Sequence, residues 1–513
     1  MSPILLSTLN AKYIHASFGL RYLAANMGEL APRTRLAEFD INQRPLDIVE
    51  KLLAHAPSII GLGVYVWNAR QTLEVVRMLK RIAPAIPIVL GGPEVSHEPE
   101  QQEICTLADV VIQGEADLKF PEVCHLLLDG KLPSQKIVAA ELPDPAELQL
   151  PYSLYNAEDL AHRVVYVEAS RGCPFRCEFC LSSLEIPVRQ FSLERFLAAM
   201  DELMQRGARQ FKFVDRTFNL HMETSLAILD FFWQRYQPGL FLHFEIVPDR
   251  VPQALREALA KFPPGALQLE AGVQTFNAEA AGRIERRQNY VRLEENLRFL
   301  REQTSAHLHA DLIAGLPGET LESFAEGFDR LLALRPHEIQ VGILKRLRGA
   351  PISRHTETWG MVYADDAPYE LLCNGLLDFA AMQRVRRFAK YWDHVANSGN
   401  YVETVAWLWS EKRSPFWSFM AFTEWAYEIL RRTDSISLLA WAELLCRHLT
   451  EAEHIEPERV KELLRSDFAR TGRKDLPQFL RCETEVRSPR AQSHASAPPK
   501  RQQRHLPADQ ARG

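Results

Sequence analysis

Val164-Val165-Tyr166-Val167-Glu168-Ala169-Ser170-Arg171-Gly172-Cys173-Pro174-Phe175-Arg176-Cys177-Glu178-Phe179-Cys180 decides how this chain reads. The stretch opens on a short apolar, β-branched run, which predicts a buried strand. It then passes through a glycine into a loop with three cysteines in eight residues. Three thiolates on one short loop can hold three irons of a cubane iron–sulfur cluster. A structural zinc site wants four closed ligands, commonly as two pairs. The other cysteines, Cys105, Cys124, Cys373, Cys446 and Cys482, are scattered and supply no second pair. A ferredoxin-type cluster would want a fourth cysteine nearby, and none is present. Three ligands leave one iron open, as catalytic metals in general keep an open position.

Downstream, strand and helix patterns alternate. Strands are predicted at Phe211–Asp215, Phe241–Ile246, Leu267–Glu270, His307–Ala314 and Glu338–Leu344, with helices such as Ser192–Arg206 and Leu321–Leu334 between them. With the run at Val164, this makes six βα units, a barrel or partial barrel. Upstream, short apolar runs at Ile4–Leu6, Arg35–Phe39, Ile59–Val66, Ile86–Leu90 and Ala108–Ile112 alternate with helical windows at Ser17–Ala24, Ile48–Leu53 and Leu73–Ile82. Repeated βαβ units predict a parallel sheet covered on both faces. Glycines close three of its strands, at the rim where open α/β sheets bind ligands.

The Pro- and acid-rich stretch from Glu141 to Pro151 reads as a linker. From about Tyr369 strand signals vanish, and helical windows carry Trp392, Trp407, Trp409, Trp417, Trp425 and Trp441, read as core residues. After Cys482 almost no large apolar residue remains, so this tail is expected to be disordered and dispensable. The fold class is therefore α/β: a doubly wound Rossmann-like domain (1–140), a linker (141–160), a partial (β/α)6 barrel (161–360), an all-α domain (361–482) and a disordered tail (483–513).

With 513 residues, 46% hydrophobic and 25% charged, the chain has room for about three domains. A net charge of -6 makes nucleic acid an unlikely partner. No apolar run reaches the roughly 18–20 residues of a membrane span. The N-terminus lacks the basic start and cleavage site of a signal peptide. Together these predict a cytoplasmic protein, in a compartment where clustered cysteines mean metal or redox chemistry rather than disulfides.

The CxxxCxxC spacing, with Phe179 before the last cysteine, resembles the radical S-adenosylmethionine (radical SAM) superfamily. In that family, Cys173, Cys177 and Cys180 would hold a [4Fe-4S] cluster whose open iron chelates SAM, and Phe179 would lie against the adenine. The segment Glu270-Ala271-Gly272-Val273-Gln274-Thr275 resembles the family's ExGxQS segment, and Gly315-Leu316-Pro317-Gly318-Glu319 its GxPGE turn. By that resemblance Glu270 and Gln274 contact SAM and Gly315 lets the backbone approach it. Asp215–Asn219 marks the end of a further barrel strand.

A doubly wound domain ahead of such a barrel resembles the cobalamin (B12)-binding-domain-containing branch. Gly63 and Tyr65, Gly91 and Gly92 of a GGP turn, and Gly114 with Glu115 match its strand-end segments and would line a corrinoid site. The segments Leu9–His15 and Val64–Asn68 look like an uncharacterised branch with its own C-terminal helical domain. No DxHxxG segment is present and the context of His15 does not match one, so cobalt's lower face is expected to meet water or an apolar surface near Tyr65 or Trp67.

The resemblance implies a radical SAM enzyme that forms a 5′-deoxyadenosyl radical and carries out cobalamin-dependent methylation of an unactivated carbon. The substrate would be an unknown small molecule or peptide, and the electron donor a flavodoxin or ferredoxin. Two alternatives stand beside it: rearrangement, cyclisation or oxidation without methyl transfer, and a non-catalytic iron–sulfur or corrinoid sensor. Lys345, Arg346 and Arg348, after the sixth strand, could meet an acidic group or simply form a solvated rim. Catalytic side chains beyond the cofactor contacts are not specified.

Overall fold

The computed structural model describes residues 2–184, 187–410, 414–473, 475–481 and 500–505. The chain forms two compact units, Met1–Arg216 with Lys345–Ser353 and Ala364–Glu370, and Thr217–Leu344 with Arg354–Tyr363 and Leu371–Gly513.

In the first unit, strands β1 (Ile4–Asn10), β2 (Thr34–Asp40), β3 (Ile59–Gly63), β4 (Ile88–Gly91), β5 (Val110–Gln113) and β6 (Ile137–Ala139) form a parallel sheet of order β2-β1-β3-β4-β5-β6. Successive side chains of a strand point to opposite faces. Leu5 and Leu9 pack with Ile48, Leu52, Val75 and Leu79 on one face, while Ile4 and Leu6 pack with Leu20 and Phe120 on the other. Each such buried side chain is worth about 1.5–3 kcal/mol relative to exposure, so the continuous apolar strand runs follow from two covered faces. The strand order reverses at β1/β3, which places the ligand crevice at the carboxyl rim there.

β3 ends at Gly63, three residues short of the expected Val66. Asn68 is the reason. Its buried side chain accepts from Tyr65 N at 2.8 Å and donates to Leu9 O at 3.0 Å, turning the chain out of the sheet.

The same unit carries the cysteine loop. β7 (Val165–Val167) leads into β8 (Ser170–Arg171), which pairs antiparallel with β9 (Arg189–Gln190), so the cysteines lie on the connection between two paired strands. β10 (Gln210–Phe213) returns parallel to β7.

The second unit contains β11 (Phe241–Ile246), β12 (Leu267–Gln274), β13 (His307–Ala314) and β14 (Glu338–Ile343), parallel neighbours in sequence order. β12 and β13 alternate in burial. Leu267, Leu269 and Ala271 are buried, whereas register places Glu270 beside His309, and His309 beside Glu338, on the opposite, polar face. On that face His243 meets Glu270 at 2.9 Å and His307 meets Glu338 at 2.9 Å.

A short antiparallel pair, β15 (Val362–Tyr363) and β16 (Leu371–Cys373), precedes the helical region, where none was expected beyond Tyr369. Strands of two or three residues are too short to show a period of two. The long helices are Phe379–Val395, Pro415–Leu430, Leu438–Arg447 and Pro457–Arg470. Trp392 and Trp441 are core residues: Trp392 stacks on Phe388 at 5.8 Å, and Trp441 meets Tyr391 edge-on. Trp417 is 37% exposed. Among the described residues no helix is long and apolar enough to cross a membrane.

Most of the expected disordered tail lies outside the described residues. Lys500–His505 departs from that expectation. Its helical turn, Lys500–Gln503, docks within the second unit. Arg501 pairs with Glu338 at 2.9 Å, Gln502 is buried against Gln268, and His505 bonds Asn397 O at 3.0 Å with its ring 5.2 Å from that of His307. Polar side chains are ordered here by partners on the polar strand face, a source of order that composition does not reveal. Ending the chain at Pro499 should therefore lower the melting midpoint, by about 2–4 °C if the lost contacts are worth about 1 kcal/mol. Ending it at His505 should leave the midpoint unchanged. Equal midpoints for both truncations in calorimetry would show that this turn contributes nothing.

Candidate functional site

A cavity of about 810 Å³ opens at the carboxyl rim of the first sheet. Strand ends build one side: Gly61 and Gly63 of β3, Gly91 and Gly92 after β4, Gly114 and Glu115 after β5, with Tyr65 and Trp67. The cysteine loop builds the other, through Gly172, Phe179, Cys180 and Leu181. Eight of the thirteen residues singled out from the sequence line this one space: Gly63, Tyr65, Gly91, Gly92, Gly114, Glu115, Phe179 and Cys180. Cys173 and Cys177 are buried.

The glycines differ in what they do. A Cβ on Gly91 would meet only Ile112 O, at 3.9 Å, so this position keeps the rim open. Gly92 has φ +106, and a Cβ there would fall 2.5 Å from Val64 O, so its constraint is the turn itself. Tyr65 and Trp67 stack at 4.4 Å with an 8° interplanar angle and form a flat aromatic wall. A flat macrocycle with a tail fits an open, glycine-lined rim beside such a wall.

Among the described residues no group of three His, Cys, Asp or Glu side chains converges as a single metal ion would require. That does not bear on a cubane, whose irons sit at separate corners and take one thiolate each. The residues present fit a cluster of that kind: three cysteines of one loop, two of them buried.

The loop is held by buried charge. Arg171 Nη1 lies 2.7 Å from Glu115 and 2.9 Å from Asp117, and its Nε lies 2.8 Å from Glu168. Arg189 also bonds Glu115. The Arg171 guanidinium lies over the rings of Tyr22, at 4.4 Å, and Phe191, at 5.6 Å. Burial pushes the Glu168 carboxyl up to about 7 despite Arg171 beside it. Glu115, expected at the cofactor, therefore also ties the cysteine loop to the first sheet. Asp215, just past β10, accepts from Ala169 N at 3.0 Å and from the Ser170 hydroxyl at 2.6 Å. Burial pushes its carboxyl up to about 6.

Glu270, Gln274 and Gly315 lie in the second unit, on β12 and just after β13. Glu270 is bonded to His243, and Gln274 stands at φ +69 beside a register shift in β12. Gly315 has φ +91, and the atom closest to a Cβ there would be Leu371 Cδ2, at 2.5 Å. Glu319 accepts from the Thr275 hydroxyl, and burial pushes its carboxyl up to about 7.

Two of the three cations after the last barrel strand are engaged within the protein rather than on a solvated rim. Arg346 pairs with Glu98 at 2.9 Å, and Arg348 with Glu94 and Glu98 at 3.2 Å each. His97, which carried no sequence signal, also lines the cavity.

Three family models match the chain: B12 binding domain over residues 5–124, Radical SAM superfamily over 167–331, and Protein of unknown function (DUF4080) over 357–511. The cobalamin-dependent radical SAM methyltransferase TokK of Streptomyces tokunonensis is 25% identical over 346 residues, 58% of this chain and 48% of that protein. An uncharacterized methyltransferase, PH0819, of Pyrococcus horikoshii is 29% identical over 206 residues, 36% of this chain and 44% of that protein. The chain thus spans about half the length of the curated relatives it matches. The fold is shared with the cobalamin-dependent SAM radical enzyme OxsB with aqua-cobalamin bound, at TM-score 0.59 and 14% identity over 94% of this chain and 82% of that one. It is shared also with the radical SAM methyltransferase TsrM of Kitasatospora setae, at TM-score 0.56 and 16% identity over 71% of this chain and 81% of that one. The chain thus matches a B12 binding domain, then a radical SAM domain and then a DUF4080 domain, in that order.

Proposed function

We propose that the protein is a cobalamin-dependent radical SAM methyltransferase acting on an unactivated carbon of a small molecule or peptide. The observation that carries this reading is that the cysteine loop and the glycine-lined rim border one cavity. When bound, the cluster supplies the electron that cleaves SAM to a 5′-deoxyadenosyl radical, and the corrinoid supplies the methyl group.

The protein's own part is binding, orientation and exclusion of water. Cys173, Cys177 and Cys180 would hold the cluster, and Phe179 would meet the adenine of SAM. Gly63, Gly91 and Gly114 would leave the rim low enough for the macrocycle, Gly92 would set the turn beside it, and Tyr65 and Trp67 would offer it an aromatic wall. Glu115 fixes the cysteine loop through Arg171 and Arg189. Glu270, Gln274 and Gly315 are the residues assigned to SAM. Asp215 is a positioning residue, since it holds Ala169 N and the Ser170 hydroxyl, four and three residues before the first cysteine. The division at 1–140, 141–160, 161–360 and 361–482 follows this assignment of roles, as do a cytoplasmic location and a flavodoxin- or ferredoxin-class electron donor.

Anaerobically prepared protein should be brown and hold about four irons per chain. Replacing all three loop cysteines with Ala should abolish visible absorbance and SAM cleavage, while Ser at Cys105, Cys124, Cys373, Cys446 and Cys482 should spare the cluster. Iron retained in the triple variant would refute the assignment. During turnover both by-products of SAM, the radical-derived nucleoside and the demethylated one, should accumulate. Radical-derived nucleoside alone would mean rearrangement or oxidation, and no SAM turnover would mean a sensor.

Hydroxocobalamin should bind with the spectrum of a form lacking a nitrogen lower ligand. Gly91→Leu should block that binding with iron content unchanged, because its side chain has room to enter the cavity without moving the sheet. Gly92→Leu should also weaken binding, and should in addition lower the melting midpoint by distorting the turn.

The Asp215 carboxyl is raised in the fold, so its favourable contribution is full below its ordinary value of 3.8 and is lost as pH rises through about 6. Asp215→Asn removes that loss. The parent's midpoint should fall relative to the variant's between about pH 4 and about pH 6 and then run parallel. A constant offset across that range would contradict the role given to burial.

A further inference from the structure

The chain that leaves β14 returns to the first unit as Lys345–Ser353, and does so again as Ala364–Glu370. Within that unit it touches both loops that border the cavity. On the glycine-turn side, Arg348 Nε lies 3.2 Å from Glu94 and its Nη1 3.2 Å from Glu98. The Tyr369 hydroxyl donates to the same Glu94 carboxylate, and Arg348 lies 5.0 Å from the Tyr369 ring. Glu94 is 5% exposed, and it directly follows Gly91-Gly92-Pro93. On the cysteine side, Ile352 N donates to Glu178 O at 2.9 Å, between Cys177 and Cys180. Leu347, immediately before Arg348, lines the cavity itself.

The backbone is shaped for this crossing. Glu98 and Tyr369 are non-glycine residues at φ +51 and +56, a conformation that persists only where surroundings impose it. Gly349 stands at φ +80 directly on the His97 ring, where any Cβ would collide with the imidazole. Burial raises the Glu94 carboxyl and lowers the His97 imidazole. Carboxylates this buried are satisfied by designed partners or not at all.

We infer that Leu347–Ile352 is a strap that sets the spacing between the Gly91–Glu98 turn and the cysteine loop, with Arg348 as the positioning residue that fixes the turn for the corrinoid. This rests on the cavity taking a corrinoid, and the strap can be read without one. Both anchoring carboxylates of Arg348 belong to the turn.

The test uses full-length, cluster-loaded protein with hydroxocobalamin as probe. Arg348→Met leaves Glu94 a buried carboxylate with only Tyr369 as partner. It should raise the dissociation constant about tenfold or more, the scale of one lost buried charge pair, with iron content unchanged. Tyr369→Phe, a milder change that keeps the fold, should weaken binding in the same direction. Adding Glu94→Gln to Arg348→Met removes the unpaired charge and should recover part of the affinity. In the corrinoid-free protein, amide hydrogen exchange over 91–98 should accelerate in Arg348→Met while exchange over β1 and β3 stays unchanged. Unaltered exchange over 91–98, or unaltered affinity in both single variants, overturns the strap. A parent chain that binds no hydroxocobalamin overturns the corrinoid reading, and the exchange measurement then decides the strap alone.

Discussion

Arg171 is the constraint on which the rest of the first unit depends. It is the last strand residue before the cysteine loop, and its guanidinium is buried among Glu168, Glu115 and Asp117 over the rings of Tyr22 and Phe191. Removing one partner of a buried ion pair typically costs about 3–5 kcal/mol, because the other charge is left uncompensated. A loop that must place three thiolates is thereby fixed at its root. The three carboxylates reach Arg171 from 3, 54 and 56 residues away, so the position of the loop depends on contacts with the first sheet's rim.

The same logic recurs around the cavity. Asp215 fixes Ala169 and Ser170 from a carboxylate 46 and 45 residues distant. Arg21 joins Glu38 and Asp159 in a second buried set that ties the first sheet to the linker. Arg348 and Tyr369 reach Glu94 across 254 and 275 residues. Polar groups so buried are costly when unpaired, so each of these sets fixes one geometry rather than a range.

In the second unit the strands alternate between an apolar face and a polar one, and the polar face carries His243, Glu270, His307, His309 and Glu338. The described C-terminal turn, with Arg501, Gln502 and His505, satisfies part of it. That turn belongs to the segment covered by the DUF4080 model, whose helical part packs its own aromatic core around Phe388, Trp392 and Phe416.

The cysteine loop, the glycine rim and the alternation of strand and helix were legible because each is a short-range pattern. Three cysteines in eight residues, a glycine at a strand end and an apolar period of two or 3.6 residues carry their meaning within a few positions of chain. What only tertiary structure decided is long-range and electrostatic. Arg346 and Arg348 look like a solvated rim until Glu94 and Glu98 are brought to them, His97 has no motif, and Lys500–His505 has nothing apolar to bury yet docks on partners more than a hundred residues away. The roles of Gly91 and Gly92, adjacent and alike in sequence, separate only when the neighbours of each Cβ position are known: open rim for one, the Val64 backbone for the other. Local sequence sets which elements form and which chemistry they bear, and the pairing of buried charges across the folded chain sets where that chemistry stands.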